Sequence, residues 1–139
     1  MKIIKFLASV LLITAMVVLV GCQPQNQPTK DSIVGVWQGD MEYHYEYGEF
    51  QGQYKISDIY WEFDNKGRWI TTEAGKDYTC QYKLVKNNTK LQVIEGYDDV
   101  LGELTIKTLT HKKLEVEEVY FDDEGDEKDK YILSFKRIE

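Results

Sequence analysis

From Ile33 onward, apolar and polar positions alternate with a period of two. Ile59, Trp61 and Phe63 fall on one phase, with Tyr60 and Glu62 on the other. Tyr78, Cys80, Tyr82 and Leu84 alternate with Thr79, Gln81 and Lys83, and Leu91 and Val93 with Lys90 and Gln92. Leu104 and Ile106 repeat the pattern, then Leu114 and Val116, then Tyr131, Leu133 and Phe135. Side chains along a strand point to opposite faces in turn, so each run predicts an antiparallel strand with one apolar and one wet face.

Turn-forming residues separate the runs. Tyr47-Gly48-Glu49, Asp64-Asn65-Lys66-Gly67, Ala74-Gly75-Lys76-Asp77 and Lys86-Asn87-Asn88-Thr89 are hairpin loops. They are followed by Gly96–Asp99 with Gly102, His111-Lys112-Lys113 and the acidic 122–127. Gly and Asn accept the left-handed backbone such loops need. Seven breaks give eight strands. Both prolines, Pro24 and Pro28, precede this region, which suits an uninterrupted ladder because proline removes a donor. No helical period of useful length occurs, and short links make consecutive strands neighbours. Eight meandering strands remove their edges by closing, so the expected fold is all-β: an eight-stranded antiparallel up-and-down barrel over residues 33–139.

The N-terminal part has a different pattern. Lys2 and Lys5 precede the apolar run Phe6–Val20, 15 residues long. That is short of the ~20 a spanning helix needs and fits an export signal over residues 1–21. Leu19-Val20-Gly21-Cys22 resembles the lipobox of bacterial lipoproteins. The resemblance implies a diacylglycerol and further acyl chains such as palmitate on Cys22, and a membrane-anchored chain. Two or more chains anchor stably. Gln23 after that Cys resembles outer-membrane sorting, with the facing side left open. Gln23–Lys30 is a polar tether with no residue to pack, and Asp31-Ser32-Ile33 weakly resembles a bacterial O-glycosylation acceptor.

The chain is 139 residues long with formal charge −7, enough for one domain. Removing Lys2 and Lys5 with the signal leaves 15 of its 17 basic residues against 24 acidic ones, about −9. This balance excludes nucleic-acid binding driven by phosphate charge. It likewise excludes docking on anionic lipid through a basic patch. With Cys22 lipidated, Cys80 has no disulfide partner and reads as a small buried hydrophobe.

Ile33-Val34-Gly35-Val36-Trp37 resembles the Gly-X-Trp opening of lipocalins. Trp61–Trp69 and the ending Tyr131–Ile138 resemble the strand–turn–strand and last strand of small bacterial lipocalin-like lipoproteins. The resemblance implies a lipid-anchored barrel in which Trp37 closes one end against Arg137, a cation–π contact. It also implies a small apolar ligand inside. At about 13 residues per arm the barrel is small, just wide enough to hold one small ligand or to be filled by side chains. The alternative function is a cell-envelope structural or protein-interaction module with a filled barrel.

Tyr43, Tyr45, Tyr47, Tyr60, Trp61 and Trp69 are the ligand-binding candidates, since Tyr and Trp join apolar area to a polar tip. The same residues read as core and cross-strand pairs. On the first arm Met41, Tyr43, Tyr45 and Tyr47 form an aromatic stripe alternating with Glu42, His44 and Glu46. The acidic tip 122–127 lacks calcium-loop spacing and reads first as a solvated turn. Glu42, Glu62, Asp64 and Glu73 offer no assignable acid/base pair. His44 and His111 lack metal-ligand spacing. No cofactor, metal or catalytic residue is expected, and no enzyme.

Overall fold

The computed structural model describes residues 33–95 and 99–139. Nine strands follow in order: β1 (Gly35–Glu46), β2 (Glu49–Lys55), β3 (Tyr60–Phe63), β4 (Arg68–Glu73) and β5 (Lys76–Val85), then β6 (Lys90–Glu95), β7 (Asp99–Leu109), β8 (Lys113–Phe121) and β9 (Glu127–Arg137). All neighbours are antiparallel, and β9 pairs back onto β1, from Trp37 opposite Arg137 to Glu46 opposite Asp129. β2 and β3 both lie along the other edge of β1, β3 against Gly35–Gln38 and β2 against Met41–Glu46. Together they make one broken arm, so the nine strands close an eight-armed barrel.

The break in that arm, which the turn residues do not reveal, is matched by an irregularity in β1. The β1–β9 register slips between Gly39 and Met41, leaving Asp40 without an opposite number. The Asp40 carbonyl instead accepts the Ile56 N–H at 3.3 Å, and Gly39 N–H donates to the Ile59 carbonyl at 2.8 Å. A bulge of this kind adds one residue and reverses the alternation beyond it.

Turn chemistry explains the closed end. Asp64 Oδ1 accepts the backbone N–H groups of Lys66 (2.8 Å) and Arg68 (2.9 Å). Gly67 takes φ 86°, a conformation costly for residues with a Cβ. The Tyr82 hydroxyl donates to the Asp64 carbonyl at 2.6 Å, tying this turn to β5. Lys86, Asn87 and Asn88 all have positive φ in the β5–β6 turn. Of the loop at Ala74–Asp77 only Ala74 and Gly75 form the turn, and Gly102 lies within β7. The connection 96–98 is outside the described residues.

The lower half of the barrel is solid. Trp37, Phe63, Leu91, Leu114, Val116 and Phe135 are fully buried, with Trp61, Trp69 and Tyr82 nearly so. Trp61 meets Phe135 at 4.0 Å between centroids and Trp69 at 4.8 Å, and Phe63 meets Tyr82 at 5.0 Å. Each such ring contributes about 1.5–3 kcal/mol by burial. The alternating runs on β3, β8 and β9 place these residues inward as their period predicts.

Candidate functional site

The end of the barrel that holds Trp37 is closed. The Trp37 indole Nε1–H donates to the Ile33 carbonyl at 2.9 Å. Arg137 Cζ lies 4.2 Å from the Trp37 ring centroid. Arg137 Nε donates to the His111 carbonyl (2.8 Å) and Nη1 to the Val34 carbonyl (2.6 Å). Burial pulls the guanidinium pKa down. Gly35, at φ 143°, has no Cβ where Arg137 Nη1 passes. One cation thus seals the seam between first and last strands.

The other end is open, and there the Asp40 bulge decides what faces inward. Directly opposed residues of an antiparallel pair share a face. Leu133 and Tyr131 continue the inward phase of buried Phe135, and they stand opposite Glu42 and His44. Glu42 and His44 therefore line the interior, while Tyr43 and Tyr45 stand on the outer wall. The His44 ring lies on Tyr131, 4.5 Å between centroids and 4° from parallel, and its Nε2 is 2.8 Å from Asp129 Oδ1. Glu118 faces Tyr131 from β8 and accepts the Tyr120 hydroxyl at 2.7 Å. Partial burial, then the charges of Asp129, Glu42, Glu118 and Glu46, push the Tyr131 phenol pKa up.

Below this carboxylate rim lies a cup of about 230 Å³. Trp61, Trp69, Leu104 and Leu133 form its apolar base, with Thr71, Val93 and Gly102 on the walls and Glu73 and Glu118 above. The Trp69 Nε1–H is buried beside it without a partner among the described residues.

Of the aromatic candidates, the structure brings only Trp61 and Trp69 to this cup. Tyr43 is half-buried beside a groove on the outer wall. Tyr45 packs edge-on against Phe50 and under the Lys130 ammonium. Tyr47 is exposed in the β1–β2 turn, its hydroxyl 3.3 Å from Asp122 Oδ2. Tyr60 accepts Gln38 Nε2 at 3.0 Å on the face opposite Trp61. Period alone assigns the stripe to the wrong face because a bulge leaves no mark in the alternation. Glu118, Asp129 and Tyr131 escaped the candidate set, although the inward phase of Tyr131 was readable from Leu133 and Phe135.

The remaining candidates do not converge on one site. Asp122 Oδ1 accepts the N–H groups of Glu124 and Asp126, so the acidic tip is braced by its own backbone. Among the described residues no three His, Cys, Asp or Glu side chains could hold a metal ion together. Glu62 and His111 are exposed, and Cys80 is half-buried with its thiol pKa pushed up by burial. Cys22, the tether and Ser32 lie outside the described residues.

Basic residues are concentrated toward one end of the barrel axis, which the net balance conceals. The three turns at the closed end carry Lys66, Lys86 and Lys112, and Lys113, Lys136 and Arg137 adjoin them, against the acids Asp64, Glu115 and Glu139. The opposite turns and strand ends carry Glu46, Glu49, Glu73, Asp77 and the 122–127 acids against Lys76, Lys128 and Lys130. An overall −9 is therefore no argument against a basic face at one end. The open end also gathers the exposed Tyr47, Phe50, Tyr54, Tyr78, Val100, Tyr120 and Phe121.

No protein-family profile matches the chain, and no curated protein matches it. Among solved structures it is similar to a protein of unknown function of the DUF3598 family from Nostoc punctiforme. The identity is 10% and the TM-score 0.49, over 84% of this chain and 53% of that one.

Proposed function

We propose that the protein is a non-catalytic binder that takes a small ligand in the cup at its open end. The supporting observation is an apolar base of Trp61, Trp69, Leu104 and Leu133 beneath the carboxylates of Glu73 and Glu118. The cup is smaller than the ~300–1,000 Å³ of ordinary ligand pockets, because large aromatic side chains fill the barrel below it. The ligand is therefore a compact molecule or one end of a longer one. Apolar base and acidic rim together suit an apolar body bearing a positive charge, with indole faces adding cation–π attraction.

The test uses intrinsic tryptophan fluorescence, since Trp61 and Trp69 line the cup. Phenethylamine should give a saturable change that 2-phenylethanol does not, and Glu118→Gln should weaken it about tenfold. Equal responses to amine and alcohol, or no response to either, would overturn the reading.

A second reading, a protein-interaction module, is favoured by the exposed aromatic set around the mouth. Contiguous apolar patches of a few hundred Å² mark contact sites. Cross-linking of the full chain in its host, with the linker at Lys76 or Lys128, would favour it by capturing one partner reproducibly.

The proposed location is the bacterial cell envelope, through acyl chains on Cys22. Cys22→Ser should move the protein from the membrane to the soluble fraction with the body still folded. Continued pelleting with membranes would remove the lipid-anchor proposal.

A further inference from the structure

We propose that the closed end of the barrel is a docking face for an anionic lipid bilayer, with Lys66, Lys86 and Lys112 as its three points of contact. Each lysine sits in a different turn of that end, so the three mark out a face rather than a spot. All three are exposed, and none is in an ion pair among the described residues. Their neighbours Arg68, Lys90, Lys107, Lys113 and Lys136 hold carboxylates within 4 Å. With Lys83 on β5, the turn lysines are the cations of that end outside such pairs, Lys86 also feeling the charge of Glu103. Lys112, Lys113 and Lys136 also line an open groove of about 680 Å³ on the adjoining wall.

A bilayer is the occupant for two reasons. The first is complementarity, since clustered lysines are attracted to anionic headgroups even when the rest of a protein is acidic. The second is the place where the remaining chain leaves the body. Residues 1–32, with their apolar run Phe6–Val20, join the barrel at Ile33, whose carbonyl is bonded to Trp37 at this same end. The acidic mouth at the other pole is then held away from the surface by repulsion. The inference rests on the Cys22 anchor only for bringing the face near a membrane.

The test is lysine acetylation footprinting of the full chain, purified from membranes. It is reconstituted on vesicles of phosphatidylcholine alone, or with about one-third phosphatidylglycerol. Lys66, Lys86 and Lys112 should react about fivefold more slowly on the anionic vesicles, the effect falling away in about 0.5 M salt. Lys76 and Lys128, near the mouth, should be unchanged. Equal rates on both vesicles, or protection at Lys76 and Lys128 instead, would overturn the proposal. So would equal protection by free glycerol phosphate, which would mean a simple anion site. Lys66→Gln/Lys86→Gln/Lys112→Gln should keep its melting temperature and lose the anionic-lipid protection of Lys113 and Lys136. If that protection persists, the three turns are not the contact. Flotation with pure phosphatidylcholine vesicles reads the anchor separately, so the two ideas can fail independently.

Discussion

The Ile56 carbonyl occupies the space in which a side chain at Gly39 would begin. Gly39 is buried where β1 bulges and the second arm breaks, so that contact holds the kink that turns Glu42 and His44 inward. Gly39→Ala must push the Ile56 backbone away and should cost about 1–3 kcal/mol. Gly102→Ala is the control, because open space surrounds that position. It should stay within about 0.5 kcal/mol of wild type while narrowing the cup. Urea denaturation checks both. Equal losses would mean that the kink does not depend on Gly39.

Trp37→Ala should destabilise the barrel by about 3–5 kcal/mol, as expected for a fully buried ring. Arg137→Gln removes the cation over that ring and the fork to the Val34 and His111 carbonyls, and should cost about 1–3 kcal/mol. In a double-mutant cycle the two losses should not add, since one contact is shared. Strict additivity would show that the seam does not depend on the pair.

Acid should weaken the protein through two turn carboxylates. Backbone N–H donors, chiefly that of Arg68, hold the Asp64 pKa below its ordinary value. The Asp126 N–H leads the same effect at Asp122. A depressed folded pKa gives stability that is complete above the ordinary value of 3.8 and disappears as the pH falls through the lower folded values. Melting temperature should therefore drop on acidification below about pH 4. Asp64→Asn and Asp122→Asn should each flatten that limb, and an unchanged limb in both would count against the bracing.

At the alkaline end, the hydrogen bond to Glu118 pushes the Tyr120 phenol up to about 12. A raised phenol pKa contributes stability that is present below the ordinary value of 10 and lost as the pH rises through the folded one. Ultraviolet titration should show Tyr120 ionising late, alongside the raised Tyr47, Tyr82 and Tyr131, and Glu118→Gln should return Tyr120 toward 10 and shorten that late phase. A late phase of undiminished amplitude in Glu118→Gln would assign it to the other rings alone.

The strands were legible because burial in a one-sided sheet imposes a period of two, and Trp61, Phe63, Leu114 and Phe135 obey it. The turns were legible because Gly67, Gly75 and Asn88 adopt backbones that few other residues favour. The mouth was not. A bulge changes which face a residue occupies without changing the spacing of apolar residues, so Tyr43 and Tyr45 still look like a core stripe. Tyrosine also tolerates the outer wall, where Tyr45 finds Phe50 and Lys130. The charge polarity was invisible for a different reason: turn lysines far apart in the chain meet only after the barrel closes.

β2 pairs only with β1 among the described residues, so its outer edge and the upper end of β4 face a gap in the wall. Closure by hydrogen bonds is complete around the aromatic lower half and incomplete above it. Widening the mouth on that side breaks no ladder bond, and the β5–β6 and β7–β8 ladders also stop short of it, at Gln81 opposite Ile94 and Thr105 opposite Glu117. For the proposed ligand, the eight-armed ring would thus cap the width of the floor but not the length of what stands on it, because a tail too long for the cup has a side exit.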